Sequence, residues 1–287
     1  MKPPPFDYVR PAGLAEALRL KADYGDGGAF IAGGQSLVAT LNMRLSAPEV
    51  LIDIGGIEGL SGIDVAGGRV RIGALTRHRA LEDSADIKSH APLVAEAISK
   101  VAHPAIRNRG TMGGSIAYAD PAAELPACVL ALGADIEISG SDGARKVAAA
   151  DFFKGLYETD LRAAEMVTAV EFAADTDDWH TGFDELARRH GDYAMAGLAV
   201  RLRMEGGDVA EARLVYFAVG DRPILAVAAG NAITGQPLSP ESGDAAAVAL
   251  GDDLDPFDDI HTSAAMKRHL AGVLTRRVLG KMAGGAS

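Results

Sequence analysis

The chain has 287 residues, of which 48% are hydrophobic and 23% charged, a composition typical of a soluble globular protein with a sizeable core. Its formal net charge of −11 argues against nucleic acid or an anionic membrane surface as a partner. No apolar run approaches the roughly 18 residues of a spanning helix. The first five residues lack the apolar segment of a secretory signal, so we expect a cytoplasmic protein without a membrane span.

The metal-binding residue types are too few and too scattered to indicate a metal centre. Cys128 is the only cysteine, which excludes an intrachain disulfide and a thiolate-bound iron–sulfur cluster. The seven histidines show no ligand spacing such as His-x-x-x-His. Cys128 lies in an apolar helical run and is interpreted as a small buried hydrophobe. A redox function would therefore need an organic cofactor.

The first 55 or so residues alternate between short strands and helices, which predicts an α/β lobe. A glycine-rich segment, Gly33-Gly34-Gln35-Ser36, follows a buried strand, and Ser36 is positioned to cap the helix after it. The predicted elements are a strand at Phe6–Val9, a helix at Leu14–Tyr24, a strand at Ala29–Ile31, a helix at Leu37–Leu45 and a strand at Val50–Ile54.

A second lobe is predicted to begin near Leu60 with a hairpin around Gly67-Gly68. Thr76 is the predicted N-cap of a helix at Arg77–Ser84, and Asp120 is the predicted N-cap before Pro121. The other predicted elements are strands at Ile63–Val65, Val70–Ala74, Ser115–Tyr118, Asp135–Ser139 and Met166–Phe172, and helices at Pro92–Ala102 and Ala122–Leu132.

The polar stretch Asp175–Asp178 reads as a linker to a third region. There, Leu198–Met204 and Val209–Val219 alternate around a glycine turn, which predicts an antiparallel hairpin. The strongest helical pattern of the region is Ser263–Met282, whose apolar face we expect to pack into a core.

Two glycine loops carry the functional signal. Ala32-Gly33-Gly34-Gln35-Ser36 and Thr111-Met112-Gly113-Gly114-Ser115 each place paired glycines shortly before a serine. Without a Cβ, glycine lets backbone N–H groups approach an anion closely. An isolated Gly-Gly pair is more often a plain turn, but two similar loops suit a diphosphate held between two lobes. On these residues alone, the diphosphate of FAD, NAD or coenzyme A fits equally well.

A dinucleotide-binding βαβ fold is the main structural rival. The first loop lacks the Gly-x-Gly-x-x-Gly spacing of that fold, so we reject it. Both loops together, with the later Gly191-Asp192-Tyr193, resemble the FAD-binding medium subunits of molybdenum hydroxylases. That family includes carbon monoxide dehydrogenase, quinoline oxidoreductase and nicotine dehydrogenase, and the flavin domain of xanthine dehydrogenase.

The resemblance implies an α+β fold in two domains. Residues 1–176 would form a two-lobed FAD-binding domain of the vanillyl-alcohol-oxidase/p-cresol-methylhydroxylase type, with lobes at about 1–57 and 58–176. Residues 177–287 would form a small C-terminal α+β domain of the carbon monoxide dehydrogenase flavoprotein type, with an antiparallel sheet and helices.

The resemblance also implies a set of residues that bind FAD non-covalently. Glu124 stands where relatives place a carboxylate on the adenosine ribose, and Tyr193 would lie against the isoalloxazine ring, although a polar turn explains its loop almost as well. Val101 and Val167 would contact the cofactor or serve only as core residues. The full set is Ile31, Ala32, Gly33, Gly34, Gln35, Ser36, Leu37, Val101, Thr111, Gly113, Gly114, Ser115, Glu124, Val167 and Tyr193.

Four further residues stay without an assigned role. His103 precedes Pro104 and is interpreted as a turn residue, while Arg107 and Arg109 would balance flavin charge or contact a partner. Asp184 stands where xanthine-oxidising relatives have a cation, which leaves the use of NAD open.

The implied function is that of an electron-transfer flavoprotein subunit without catalytic side chains of its own. A molybdopterin-binding large subunit and a small subunit with 2Fe–2S clusters would be its partners, in a dimer of heterotrimers. The substrate would be an N-heteroaromatic compound or CO. A stand-alone FAD oxidase or reductase and a non-enzymatic nucleotide-binding module are the alternatives.

Overall fold

The computed structural model describes residues 2–285, which form three main sheets and one two-stranded ribbon. Met1 and residues 286–287, at the ends of the two predicted domain ranges, lie outside the described residues. The architecture is α+β, as predicted.

The N-terminal lobe is built on a small parallel sheet with the strand order β1-β3-β2. Apolar side chains of β3 pack against Ala17 and Leu18 of the first helix. Ile31, the last residue of β2, pairs with Asp53, and the first glycine loop leaves the sheet there. The elements are β1 (Asp7–Val9), α1 (Leu14–Tyr24), β2 (Gly28–Ile31), α2 (Leu37–Asn42) and β3 (Val50–Asp53).

The second lobe contains a five-stranded antiparallel sheet in the order β4-β5-β10-β6-β7, beside the small ribbon β8-β9. The strands are β4 (Ile63–Ala66), β5 (Arg69–Gly73), β6 (Asp135–Gly140), β7 (Gly143–Ala148), β8 (Phe153–Gly155), β9 (Glu158–Thr159) and β10 (Met166–Ala173). The helices are α3 (His78–Asp83), α4 (Ala85–His90), α5 (Pro92–Ile98), α6 (Pro104–Arg107), α7 (Met112–Tyr118), α8 (Glu124–Ala131) and α9 (Ala149–Phe152).

The C-terminal region contains a four-stranded antiparallel sheet in the order β11-β12-β13-β14, followed by three helices. Its elements are β11 (Trp179–Ala187), β12 (Ala194–Glu205), β13 (Asp208–Phe217), β14 (Ile224–Leu225), α10 (Val227–Ile233), α11 (Pro240–Asp253) and α12 (Ala264–Gly285).

The C-terminal sheet is covered on both faces, which joins the two cores. Side chains of a strand alternate between the faces of its sheet. Leu198 and Val200 of β12 belong to the core beneath α10–α12, whereas Ala199 belongs to the core shared with α5 and α8 of the second lobe. Residues 196–202 are buried without a break for this reason. Cys128 is fully buried in the shared core, as predicted.

A buried ion pair joins the segment that follows β10 to strand β12 of the C-terminal sheet. Arg201 of β12 donates from Nε to Asp175 Oδ1 at 2.7 Å, and both side chains are at most 5% exposed. The guanidinium also lies 3.6 Å from the ring centroid of Trp179. Asp175, the first residue of the segment predicted as a polar linker, is therefore buried and ion-paired.

The predictions around the second glycine loop were partly wrong. Ser115–Tyr118 is not a strand but part of α7, because the Thr111 hydroxyl accepts a hydrogen bond from the Gly114 N–H and so caps a helix. Thr76 does not cap α3, since its hydroxyl bonds to the backbone of Gly62. Asp120 bonds to the N–H of Ala122 in a turn, and α8 begins only at Glu124.

Other boundaries also differ from the prediction. The helix after the first loop ends at Asn42, the helix at Pro92 ends at Ile98, and β3 ends at Asp53. Helices α4 and α9 and strands β7, β8 and β9 were missed, because each is short and has a mixed apolar and polar sequence.

Candidate functional site

One cleft of about 620 Å³ lies between the two lobes, with the loop before β12 at its edge. Its size falls within the usual range for small-molecule sites of roughly 300–1,000 Å³. All fifteen residues of the predicted site line this cleft: Ile31, Ala32, Gly33, Gly34, Gln35, Ser36, Leu37, Val101, Thr111, Gly113, Gly114, Ser115, Glu124, Val167 and Tyr193. The structure thus brings together residues from three separate regions of the chain.

The two glycine loops touch each other at the cleft. A Cβ on Gly33 would lie 2.2 Å from the carbonyl oxygen of Arg109 and 3.0 Å from Cα of Gly110. Only a residue without a side chain permits this approach. The contact joins the lobes at the loops, so the cleft has a defined width where the two loops meet.

The first loop has free hydrogen-bond donors. No acceptor within residues 2–285 takes the backbone N–H groups of residues 33–37. Gly34 has φ of +71°, a left-handed conformation that glycine adopts at little cost. Ser36 does not cap α2, contrary to the prediction, and its hydroxyl has no partner in the described chain. These donors suit an anionic ligand.

The second loop differs, because its backbone donors are already used. The N–H of Met112 bonds to Thr76 O, that of Gly113 to Ala74 O, that of Gly114 to Thr111 Oγ1 and that of Ser115 to Thr111 O. The sequence predicted that amides of both loops hold a diphosphate, but only those of the first loop are free of partners within residues 2–285. From the second loop, the hydroxyls of Thr111 and Ser115 remain available to a ligand.

Gly113 and Gly114 have structural roles that the sequence did not distinguish. A Cβ on Gly113 would lie 2.4 Å from Cβ of Ala74, so Gly113 lets α7 pack directly on the end of β5. Gly114 is helical, and a Cβ there would meet only the Thr111 hydroxyl at 2.7 Å.

Arg107 supports the cleft wall from behind. Its guanidinium pairs with the Glu82 carboxylate at 3.0 Å and donates to the carbonyl oxygens of Val101 and Ala102. Arg107 is 7% exposed, so it is a buried structural residue. Arg109 instead lines a second depression of about 460 Å³, which shares residues 31–35 with the cleft and also has Tyr8 and Asp53 on its wall.

His103 connects the second lobe to the loop before β12. It lines the cleft, and a Cβ on Gly191 would lie 2.4 Å from His103 Cε1. Gly191 has φ of +78°, which turns the chain so that Tyr193 reaches the cleft edge. Asp184, by contrast, lies away from the cleft and pairs with Arg277 at 3.2 Å and Lys281 at 3.5 Å.

Two tyrosines and two carboxylates, Tyr118, Tyr193, Asp120 and Glu124, line the cleft. The ring of Tyr193 is 66% exposed, yet partial burial and the charge of Asp120 raise the pKa of its phenol to about 12. Burial and the nearby charge of Glu185 raise the pKa of the Glu124 carboxyl to about 8. The charge of Glu124 also raises the pKa of the Tyr193 phenol, although less than burial and Asp120 do.

Several cleft residues were missed from the sequence. His78 was seen only as part of a helix, and Tyr118 only as part of a strand; the short sequence patterns around them carried no signal of a site. The further lining residues are Phe30, Ile54, Ala74, Leu75, His78, Ala102, His103, Ile106, Gly110, Ala117, Tyr118, Asp120, Ala123, Leu161, Glu165, Met166, Gly191 and Asp192.

Two other observations concern the described residues as a whole. Across residues 2–285, no three His, Cys, Asp or Glu side chains are grouped so that they could hold a metal ion. Nor does any described helix combine the length and the apolar character needed to cross a membrane.

The fold and the cleft define a class of protein: an α+β protein with a cleft of small-molecule size between two lobes. Residues 4–173 match the family described as "FAD binding domain in molybdopterin dehydrogenase", and residues 181–282 match the "CO dehydrogenase flavoprotein C-terminal domain". The chain belongs to this family of FAD-binding medium subunits of molybdenum hydroxylase-type dehydrogenases, which are oxidoreductases.

Relatives of known identity match nearly the whole chain. It is 40% identical over 282 residues to the 6-hydroxypseudooxynicotine dehydrogenase complex subunit alpha of Paenarthrobacter nicotinovorans, covering 98% of this chain and 95% of that one. Quinoline 2-oxidoreductase from Pseudomonas putida 86 is 39% identical with a TM-score of 0.94, covering 100% of this chain and 99% of that one. A carbon monoxide dehydrogenase from Hydrogenophaga pseudoflava is 36% identical with a TM-score of 0.95, covering 97% of each chain.

The residues present fit FAD. The free N–H groups of residues 33–37 and the hydroxyls of Ser36 and Ser115 are donors suited to a diphosphate. Apolar side chains such as Ile31, Val101 and Val167 line the remaining wall and suit the flat rings of the cofactor.

Proposed function

We propose that this chain is the electron-transfer subunit of a molybdenum hydroxylase complex. It would take electrons from an iron–sulfur subunit and pass them to an external acceptor. Bound FAD supplies the redox chemistry, which no side chain of the protein provides. The observation that carries the proposal is that all fifteen predicted residues line one cleft between the lobes.

The protein's own part is to bind and orient FAD. We assign the diphosphate to the first loop, through the N–H groups of residues 33–37, with hydroxyl bonds from Thr111 and Ser115. Hydrogen bonds to a charged group contribute about 1.5–3 kcal/mol each. The binding is non-covalent, because Gln35 stands in the first loop and an amide is a poor nucleophile.

Tyr193 is assigned to the isoalloxazine ring, where its aromatic face would stack and exclude water from one side. Glu124 lines the same cleft as Tyr193, and we assign its carboxyl to the adenosine ribose of the cofactor, as the resemblance implies.

The partners follow from the relatives. They are named as medium chains or as subunits of dehydrogenase complexes. We propose that a molybdopterin-binding large subunit and a small subunit with 2Fe–2S clusters bind this chain, as a dimer of heterotrimers in the cytoplasm. The substrate would be hydroxylated on the large subunit. We favour an N-heteroaromatic substrate, since relatives act in nicotine, caffeine and quinoline conversion.

The test is to assay the chain alone and the co-expressed complex against a panel of N-heteroaromatic compounds and CO, with an artificial electron acceptor. We expect hydroxylation by the complex, and only dye-linked reductase activity from the isolated, FAD-loaded chain. Hydroxylation by the isolated chain would instead support a stand-alone flavoenzyme.

A further inference from the structure

His78 is a buried cleft residue to which the site described above gives no role. It is the first residue of α3, is 6% exposed and lies on the cleft wall. Its backbone N–H donates to Gly110 O at 2.9 Å, which ties it to the second glycine loop. A Cβ on Gly110 would lie 2.8 Å from His78 Nδ1, so the imidazole packs directly beneath that loop.

Neither ring nitrogen of His78 has a hydrogen-bond partner within residues 2–285. A neutral imidazole carries one N–H donor and one acceptor nitrogen. Leaving a buried polar group unpaired costs about 1–3 kcal/mol, so such groups are rare in folded proteins. The unpaired imidazole therefore needs an explanation.

The surroundings keep this imidazole neutral. Burial lowers the pKa of His78 to about 4, and the positive charges of Arg107 and Arg77 act in the same direction. Arg107 is itself neutralised by Glu82, and Arg77 donates to the carbonyl oxygen of Arg109. At neutral pH, His78 thus offers an N–H but no charge.

The carbonyl oxygen of Thr111 accepts the Ser115 N–H at 3.1 Å, and its second lone pair is left for the His78 N–H. A weak interaction with the Thr111 backbone raises the pKa of His78 against the larger effect of burial, but its geometry falls short of a hydrogen bond. Thr111 also caps α7 through its hydroxyl and lines the cleft. A small movement of the loop would therefore link His78 to a residue that lines the cleft.

We propose that His78 is a positioning residue for the cofactor. When FAD occupies the cleft, Gly110 and Thr111 settle onto the imidazole, and the His78 N–H donates to the Thr111 carbonyl. The bond holds the Thr111 hydroxyl towards the diphosphate. The inference rests on the proposed assignment of Thr111 to the cofactor, and it concerns a residue outside that assignment.

The first experiment compares the FAD affinities of variants by titrating the FAD-free full-length chain. His78→Leu removes the donor and should weaken FAD binding about 5- to 30-fold, as expected for one buried hydrogen bond. His78→Asn keeps a donor near the position of Nδ1 and should remain within about threefold of the wild type. His180→Leu, at an exposed histidine of β11, is the matched control and should change nothing.

A purely structural role would make the Leu and Asn variants lose affinity together, and this result would overturn the proposal. So would unchanged affinity in His78→Leu. If the wild type and all variants fail to bind FAD, the assignment of the cleft fails instead, so the two failures are distinguishable.

The second experiment follows the ring nitrogens of His78 by NMR in the ¹⁵N-histidine-labelled chain, assigned with His78→Asn. We expect a neutral ring both without and with FAD, and a shift of the protonated nitrogen at saturating FAD as the new hydrogen bond forms. Ring-nitrogen signals that are identical in both states would overturn the proposal without reference to any enzymatic activity.

Discussion

Gly33 packs against the carbonyl oxygen of Arg109 so closely that a Cβ at position 33 would lie 2.2 Å from it. This contact joins a loop of the N-terminal lobe to a loop of the second lobe, 76 residues further along the chain. The cleft that we propose for FAD is bounded by these two loops. The spacing between the lobes therefore depends on a glycine, which has no side chain, at position 33.

Gly33→Ala should weaken FAD binding at least tenfold, because the new methyl group pushes the two loops apart and misplaces the free donors of the first loop. The measurement is a fluorescence titration of the FAD-free chain. Gly251→Ala is the matched control, since a Cβ on Gly251 in α11 meets no atom within 4 Å. Wild-type affinity in Gly33→Ala, with the fold intact by circular dichroism, would contradict this role for the contact.

Tyr193→Ala should leave FAD bound but change its behaviour. The ring is 66% exposed at the cleft edge, so its loss removes little core packing but opens one side of the cofactor to solvent and oxygen. We expect an altered reduction potential or faster reoxidation by oxygen, with Tyr193→Phe close to the wild type. If Tyr193→Ala leaves both quantities unchanged, Tyr193 does not lie against the ring.

Glu124→Gln should stabilise the FAD-free chain at alkaline pH. The pKa of Glu124 is raised from 4.5 to about 8, so between these values the folded chain binds more protons than the unfolded chain. Stability therefore falls as the pH rises through this window. The glutamine variant lacks this loss, and its Tm at pH 8.5 should exceed that of the wild type by several degrees, because each unit of pKa shift is worth about 1.4 kcal/mol.

The control for Glu124→Gln is the same comparison at pH 5, below most of the titration. There the glutamic acid is protonated in the folded chain and the two melting temperatures should nearly coincide. A constant difference between the two proteins at both pH values would mean that Glu124 does not titrate as described.

Arg201→Met should destabilise the chain strongly, because it leaves the Asp175 carboxylate buried without its partner. Removing one member of a buried pair costs about 3–5 kcal/mol. Burial already raises the pKa of Asp175 despite the arginine, which shows how unfavourable its desolvation is. Arg203→Met, two residues along the same strand in an exposed pair with Glu205, should change the free energy of unfolding by less than about 1 kcal/mol. Equal effects of both substitutions would contradict the anchor role of Arg201.

Much of the fold could be predicted from periodicity. The helix Leu14–Tyr24 and the long hairpin of β12 and β13 have clear patterns, and both are present. The prediction of a strand at Ser115–Tyr118 was wrong, because a pattern of four residues cannot distinguish a strand from a helix. The hydrogen bond from the Gly114 N–H to the Thr111 hydroxyl caps a helix there instead.

The residues of the site were likewise only partly predictable from the sequence. The glycine loops and Gly191-Asp192-Tyr193 carry local signals, so they could be found from the sequence. His78 could not be found from the sequence, because its ring packs against Gly110, which lies 32 residues further along the chain. The role of Arg107 behind Val101 depends likewise on its distant partner Glu82.

The most direct test of the electron-transfer role is the flavin absorbance under anaerobic conditions, after addition of a compound that the co-expressed complex hydroxylates. We expect the flavin to bleach in the complex and to stay oxidised in the isolated, FAD-loaded chain, because only the partners oxidise the substrate. Bleaching of the isolated chain by the same compound would contradict an electron-transfer role.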